Sequence, residues 1–144
     1  MAIAALITWL ITAAGGFWML GIWVARGGTR EPRTSSFPPA LIFGHFGLAA
    51  AGLVLWIIYV ATDTTALAWI AFVLLVPVAL LGFTMVTRWR ANRRVAAPVV
   101  AGPAAGGTEQ PESHLPVPVV YGHGLFAVTT VVLVLLAAIG VGGS

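Results

Sequence analysis

Four long apolar stretches dominate this chain and leave few folds open to it. Hydrophobic residues make up 60% of its 144 residues and charged residues only 8%, which is far from the balance of a water-soluble domain. As helices rising about 1.5 Å per residue, the stretches are long enough to cross about 30 Å of hydrocarbon. The sequence therefore predicts an all-α fold, a bundle of four transmembrane helices over residues 2–24, 40–61, 66–86 and 117–141.

The connections leave no room for a soluble domain, so we predict a single membrane domain over residues 1–144. Residues 95–116 are rich in proline, glycine and alanine without a sustained period, which indicates a flexible cytoplasmic linker. The first apolar stretch has no positive segment before it. We therefore interpret it as a retained helix and not as a secretory signal.

The basic residues predict the orientation of the bundle. All seven are arginines, and they fall in two connections, Arg26, Arg30 and Arg33 in the first and Arg88, Arg90, Arg93 and Arg94 in the third. The positive-inside rule makes both connections cytoplasmic, which predicts an N-out, C-out topology. The residue usage, with no lysine, is typical of a GC-rich bacterial genome, so we expect a multi-pass protein of the bacterial plasma membrane. The positive charge then reflects orientation in a lipid bilayer and indicates no nucleic-acid partner.

Two eight-residue segments resemble each other. One begins at Pro38 and the other at Pro116, and both end in Gly-His. At the same offset of 78, Leu55 corresponds to Leu133. An offset of 66 relates the first and third stretches by matching Gly16, Phe17, Met19 and Trp23 with Gly82, Phe83, Met85 and Trp89. The pattern predicts two parallel repeated helical hairpins, related by an axis along the membrane normal.

The two similar segments place His45 and His123 at the same depth inside apolar stretches. An ionisable side chain there is costly and marks a functional site by default, usually with a partner. In a four-helix bundle the second and fourth helices occupy opposite corners, so each histidine is the expected partner of the other. Small residues on the same faces predict a slot between them: Gly44, Ala49, Gly52, Gly122, Ala127 and Thr130. The alternative role of these residues is ordinary close packing of membrane helices.

A b-type haem fits two facing imidazoles in an apolar slot, because two axial nitrogens hold its iron. We expect His45 and His123 to be the metal ligands, and Arg26, Arg88 and Arg90 to pair with the haem propionates. On these features the chain resembles the four-helix membrane cytochromes b. Members of that family that move electrons across the membrane carry two histidines 13 or 14 residues apart on one helix. Here the corresponding positions include Tyr59 and Ala137, so the resemblance implies one haem.

One bis-histidine haem in the cytoplasmic leaflet implies electron transfer or haem binding. Transfer across the membrane would need a quinol or a redox partner protein, since this chain has no second centre. The sequence indicates an electron carrier or accessory subunit more than a stand-alone enzyme, and we identify no catalytic residue. A homo-oligomer or a larger membrane complex also fits, because the bundle has little polar surface.

The histidines have three alternative roles that the sequence leaves open. The first is a structural hydrogen-bonding pair in a non-catalytic accessory or scaffold subunit. The second is part of a proton or ion path, and the third is a metal site without haem. A zinc site would lack ligands, because the chain has no cysteine and no intramembrane carboxylate.

Two tryptophans, Trp23 and Trp89, lie close to the arginines in the sequence. Tryptophan is enriched where a transmembrane helix meets the headgroup region. We therefore expect both residues to anchor their helices at the cytoplasmic interface.

Overall fold

The structure, a computed structural model, describes residues 1–30, 35–96 and 110–141. Arg33 and residues 97–109 of the predicted linker lie outside these ranges. Within the described residues the fold is all-α, as predicted, and contains no strand. It forms α1 (Ala2–Ala25), α2 (Pro39–Thr62), α3 (Thr65–Ala96), a short 3₁₀ helix (Pro111–His114) and α4 (Val117–Ala138).

The four α-helices are each long and apolar enough to cross a membrane. Their outer faces carry large apolar side chains, with Phe83 and Leu125 both 68% exposed. Such a surface would be unfavourable in water and is favourable against lipid tails. The chain therefore has the form of a multi-pass membrane protein.

Prolines set where the two histidine-bearing helices begin. Pro39 occupies the first turn of α2, and Pro118 occupies the first turn of α4. Proline suits these positions because its ring fixes a helical φ and its missing N–H would have no helical acceptor there. At the other end of α2, Asp63 adopts a left-handed conformation with φ 54°. α3 then starts two residues later at Thr65, so α2 and α3 run antiparallel.

The helices follow one another around the bundle in chain order. α1 packs most closely with α4, and α2 packs most closely with α3, while α1 also touches α2 and α3 also touches α4. Among the described residues, α2 and α4 have no close backbone contact with each other. They therefore lie at diagonal corners, and their inward faces meet at the centre of the bundle.

Two aromatic clusters fill the two ends of the core. One contains Trp9, Trp56 and Tyr59, and the other contains Trp23 and Trp89. Trp23 is only 1% exposed and Trp89 only 3%, which contradicts anchoring by contact with lipid headgroups, whereas their placement at the cytoplasmic interface stays a prediction. Their rings pack between helices, because the arginines beside them extend outward and leave the large indoles to fill the end of the core.

The last part of the predicted linker is packed against the bundle. Glu112, in the 3₁₀ helix, is fully buried. Its carboxylate accepts hydrogen bonds from the Ser35 hydroxyl at 2.8 Å, the Ser36 N–H at 2.6 Å and the Ser36 hydroxyl at 2.5 Å. Asn92 on α3 donates to the Ser36 hydroxyl at 2.7 Å. This polar cap joins the segments that precede α2 and α4.

The third helix is longer than its apolar pattern indicated. α3 continues to Ala96, although the predicted apolar stretch ends at residue 86. The added turns are rich in arginine. Arg93 and Arg94 lie in the last turn, where their positive charge interacts favourably with the negative end of the helix dipole. Hydropathy detects only the part of such a helix that matches the membrane.

Candidate functional site

The histidines lie at equivalent heights on diagonal helices. His45 is six residues after Pro39, where α2 begins, and His123 is six residues after Val117, where α4 begins. Six residues of helix correspond to about 9 Å along the axis. Both side chains are half-buried, and they lie between the two aromatic clusters.

The structure brings the two imidazoles together. Their ring centres are 6.3 Å apart, and the ring planes are tilted by 55°. Sequence reasoning paired these side chains from the repeat alone, and the diagonal placement of α2 and α4 accounts for their approach.

Each imidazole is held by a neighbouring helix. The Nδ1 of His45 lies 3.0 Å from the carbonyl oxygen of Val78 on α3, and the Nδ1 of His123 lies 2.9 Å from the carbonyl oxygen of Thr12 on α1. A carbonyl oxygen only accepts, so each Nδ1 carries the proton and donates it. In the neutral ring the Nε2 then has a free lone pair, which is the form that binds a metal.

Glycines let the imidazoles approach α1 and α3. A Cβ placed on Gly82 would lie 3.2 Å from Cε1 of His45, and a Cβ on Gly16 would lie 3.2 Å from Cε1 of His123. Contacts this short are tighter than side chains normally make. The absence of a side chain at Gly16 and Gly82 therefore leaves room for the imidazole rings.

The two glycines next to the histidines in sequence have a different environment. A Cβ placed on Gly44 or on Gly122 would meet no atom within 4 Å. Their lack of a side chain is therefore not required by packing inside this chain. Their role in lining the cofactor slot stays a prediction.

Further along α2 and α4, the core is more filled. A Cβ on Gly52 would lie 3.1 Å from the Trp9 ring, so α1 supplies an indole at this depth. Thr130 is buried and donates to its own helix at Phe126, and it also lies 3.0 Å from the Thr8 hydroxyl. The predicted slot is thus bounded on this side by Trp9. Ala49 lies between His45 and Gly52 on α2, and Ala127 lies between His123 and Thr130 on α4. Both alanines are half-buried.

The arginines expected at a haem edge are not gathered around the histidines. Arg26 caps the end of α1, and Arg88 donates to the Ser36 carbonyl at 2.9 Å. Arg90 lines a separate cleft beside Trp89. The buried indoles of Trp23 and Trp89 lie seven residues beyond Gly16 and Gly82, about 10 Å further along the helices. They separate the histidines from this end of the bundle.

The donor set at this site is small. Within the described residues, no group of three or more His, Cys, Asp or Glu side chains is placed to hold a metal ion. Two imidazoles alone do not satisfy zinc, which takes about four ligands. They do satisfy an iron whose other four positions are occupied by a porphyrin.

The partners of the histidines were missed from the sequence although a signal was present. Thr12 and Val78 stand four residues before Gly16 and Gly82, and the same offset of 66 relates both pairs. Extending the repeat by one helical turn before these glycines therefore identifies Thr12 and Val78, whose carbonyl groups accept from the histidines. The buried Glu112 had no such signal, because glutamates near a proline-rich stretch usually lie in solvent.

No protein-family model, curated protein sequence or solved structure matches this chain.

Proposed function

We propose that this protein binds one b-type haem between His45 and His123. The separation of the two imidazoles is the observation that carries this proposal. A metal bonded to both Nε2 atoms puts the ring centres about 6 Å apart, because each metal–nitrogen bond is about 2 Å and each nitrogen lies about 1 Å from its ring centre. The ring centres here are 6.3 Å apart.

The hydrogen bonds of the histidines support the same proposal. Metal-binding histidines almost always donate their other ring N–H to a carbonyl or carboxylate, which fixes the tautomer and the ring orientation. His45 does this to Val78, and His123 does it to Thr12. The ligand nitrogens are thus set in advance by α1 and α3, which reduces the ordering cost of binding.

With two histidine ligands a haem iron has no open position, so the group would carry electrons and not activate oxygen. The role that follows is electron transfer or haem binding. This chain supplies one such site, so passage of electrons across the bilayer requires a quinol or a redox partner protein. Homo-oligomers and larger membrane complexes are the settings in which that partner would be met.

We also propose that the bundle arose from two parallel helical hairpins. Two kinds of contact support this. The His45–Val78 and His123–Thr12 bonds occur at positions related by the offsets of the repeat. So do two edge-on ring pairs, Trp23 with Phe43 at 6.4 Å and Trp89 with Tyr121 at 5.9 Å.

The orientation that we propose is N-out and C-out in a bacterial plasma membrane. Arg26 and Arg30 follow α1, and the other described arginines lie near the end of α3, so all of them are at one end of the bundle. Asp63 lies at the opposite end, between α2 and α3. The positive-inside rule assigns the arginine end to the cytoplasm.

A second candidate function is an accessory or scaffold subunit with structural histidines. The observation in its favour is that each histidine already links two helices, α2 to α3 and α4 to α1. Such bonds stabilise membrane bundles by about 0.6 kcal/mol on average, and they need no cofactor.

An absorbance spectrum separates the two candidates. The full chain is produced in cells supplied with a haem precursor, purified in detergent, oxidised in air and then reduced with dithionite. We expect a sharp reduced-state band, lost in His45→Ala and in His123→Ala. The control is His114→Ala, which removes a histidine in the 3₁₀ helix and should leave the band unchanged. A colourless protein, even after reconstitution with haem, contradicts the proposal and favours the accessory role.

A further inference from the structure

A basic cleft lies where α3 ends and α4 begins. Its volume is about 440 Å³, and it is lined by Trp89, Arg90, Arg93, Arg94, Val117 and Tyr121. The three arginines are spaced so that they share one face of α3. Because they follow the membrane-spanning part of the helix, their guanidinium groups lie at the level of lipid headgroups.

The positive charge of the cleft is not neutralised within the part of the chain that the structure describes. None of its three arginines forms an ion pair there. The Arg93 guanidinium instead lies over the Trp89 ring, 5.1 Å from its centre. Of the two described carboxylates, Asp63 is at the far end of α3, and Glu112 is fully buried and bonded to serines. The cleft is therefore suited to an anion.

Trp89, which lines the cleft, also carries an unpaired donor. The Nε1–H of Trp89 is buried and has no hydrogen-bond partner among the described residues. Buried polar groups are nearly always paired, so an unpaired one indicates a missing acceptor. Trp23 shows what such an acceptor does, because its own Nε1–H donates to the Ser35 hydroxyl at 3.0 Å. No residue in the described ranges plays this part for Trp89, and a phosphate oxygen is a strong acceptor.

Apolar side chains continue from the cleft into the membrane. Phe83 lies seven residues before Arg90, on the same face of α3. This face is exposed along its length, at Val73, Val76, Leu80 and Phe83. A similar exposed face runs along α4 from the cleft, at Tyr121, Leu125, Val128 and Val132. A ligand with a charged head and hydrocarbon chains fits this surface better than a free anion does.

We propose that this cleft is a binding site for the phosphate headgroup of an anionic phospholipid. The arginines pair with phosphate oxygens, as basic pockets at the ends of transmembrane helices do. The acyl chains lie along the exposed faces of α3 and α4. This site is separate from the histidine pair and does not depend on what the histidines bind.

Native mass spectrometry of the full chain tests the proposal. The protein is released from micelles that contain equal amounts of phosphatidylglycerol and phosphatidylcholine. We expect phosphatidylglycerol to be retained preferentially, and Arg93→Gln and Arg94→Gln each to reduce that preference about fivefold. The matched control is Arg30→Gln, which removes the same charge from an exposed position outside the cleft and should preserve the preference. Helical content and elution volume establish that each variant is folded.

Two further measurements identify the ligand. Trp89→Phe keeps the net charge and removes the unpaired donor, so it should also weaken retention of phosphatidylglycerol. Millimolar inorganic phosphate should not displace the lipid, and displacement would assign the cleft to free phosphate. Equal retention of both lipids, or an equal loss in Arg30→Gln and Arg93→Gln, would overturn the proposal, because either result means that no specific site exists.

Discussion

The carboxylate of Glu112 accepts a 2.6 Å hydrogen bond from the backbone N–H of Ser36, a residue 76 positions earlier in the chain. The contact joins the segment before α4 to the segment before α2. Both histidines stand one and a half to two turns beyond these segments, so the polar cap sets the height at which the imidazoles meet. A buried carboxylate with several donors is also a sensitive point for stability.

We expect Glu112→Gln to destabilise the bundle by about 2 kcal/mol. The amide has one acceptor atom fewer, so a half-buried serine loses its partner inside the cap, and an unpaired buried group costs about 1–3 kcal/mol. The measurement is the free energy of unfolding in mixed detergent micelles. Asp63→Asn is the control, since asparagine tolerates the left-handed conformation of this turn. A loss no larger than that of the control would mean that the cap contributes nothing to stability.

The second prediction concerns Gly16 and Gly82, the glycines that contact the imidazoles. In Gly82→Ala the new methyl group must displace the His45 ring, because it would lie 3.2 Å from Cε1. We expect a loss of about 1–3 kcal/mol, as in other overpacked cores, and the same for Gly16→Ala against His123. Gly21→Ala and Gly47→Ala are matched controls on α1 and α2, where a Cβ meets nothing within 4 Å.

These controls should be neutral or slightly stabilising, because alanine favours a helix more than glycine does. Unfolding free energies of the four variants provide the comparison. If Gly47→Ala is as harmful as Gly82→Ala, the close contact between the glycine and the imidazole is not the cause.

The two end-cluster tryptophans should respond differently to the same change. Trp23→Phe removes a donor that is bonded to the Ser35 hydroxyl at 3.0 Å, and Ser35 in turn donates to Glu112. Trp89→Phe removes a donor without a partner among the described residues. In detergent without phospholipid we therefore expect Trp23→Phe to cost about 1 kcal/mol more of unfolding free energy than Trp89→Phe. Equal costs would contradict the difference in hydrogen bonding.

Much of the fold follows from hydropathy, because four apolar stretches of this length have few other ways to bury their backbone polar groups. The beginnings of α2 and α4 follow from proline. The end of α3 does not, since a polar helix that leaves the membrane has no hydropathy signal. The burial of Trp23 and Trp89 also could not be predicted, because tryptophan near arginine is equally typical of an interface.

The candidate site divides in the same way. The repeat was enough to pair His45 with His123, since equal depth and diagonal helices follow from it. What the imidazoles bond to depends on how α1 and α3 rotate about their axes, and the weak sequence pattern of a membrane helix does not determine that rotation. The filling of the core near Gly52 by Trp9 depends on the same rotation.

Asparagine at position 45 would separate the two roles of the histidine. The Nδ2 of asparagine corresponds in position to the Nδ1 of histidine, so His45→Asn can still donate to the Val78 carbonyl, but it offers no ring nitrogen to a metal. In protein prepared without haem, we expect His45→Ala to lose about 1 kcal/mol of unfolding free energy and His45→Asn to recover most of it. In protein prepared with haem, both variants should lose the reduced-state band. A band that survives in His45→Asn would rule out His45 as a ligand, and an asparagine variant as unstable as the alanine variant would mean that the bond to Val78 does not stabilise the bundle.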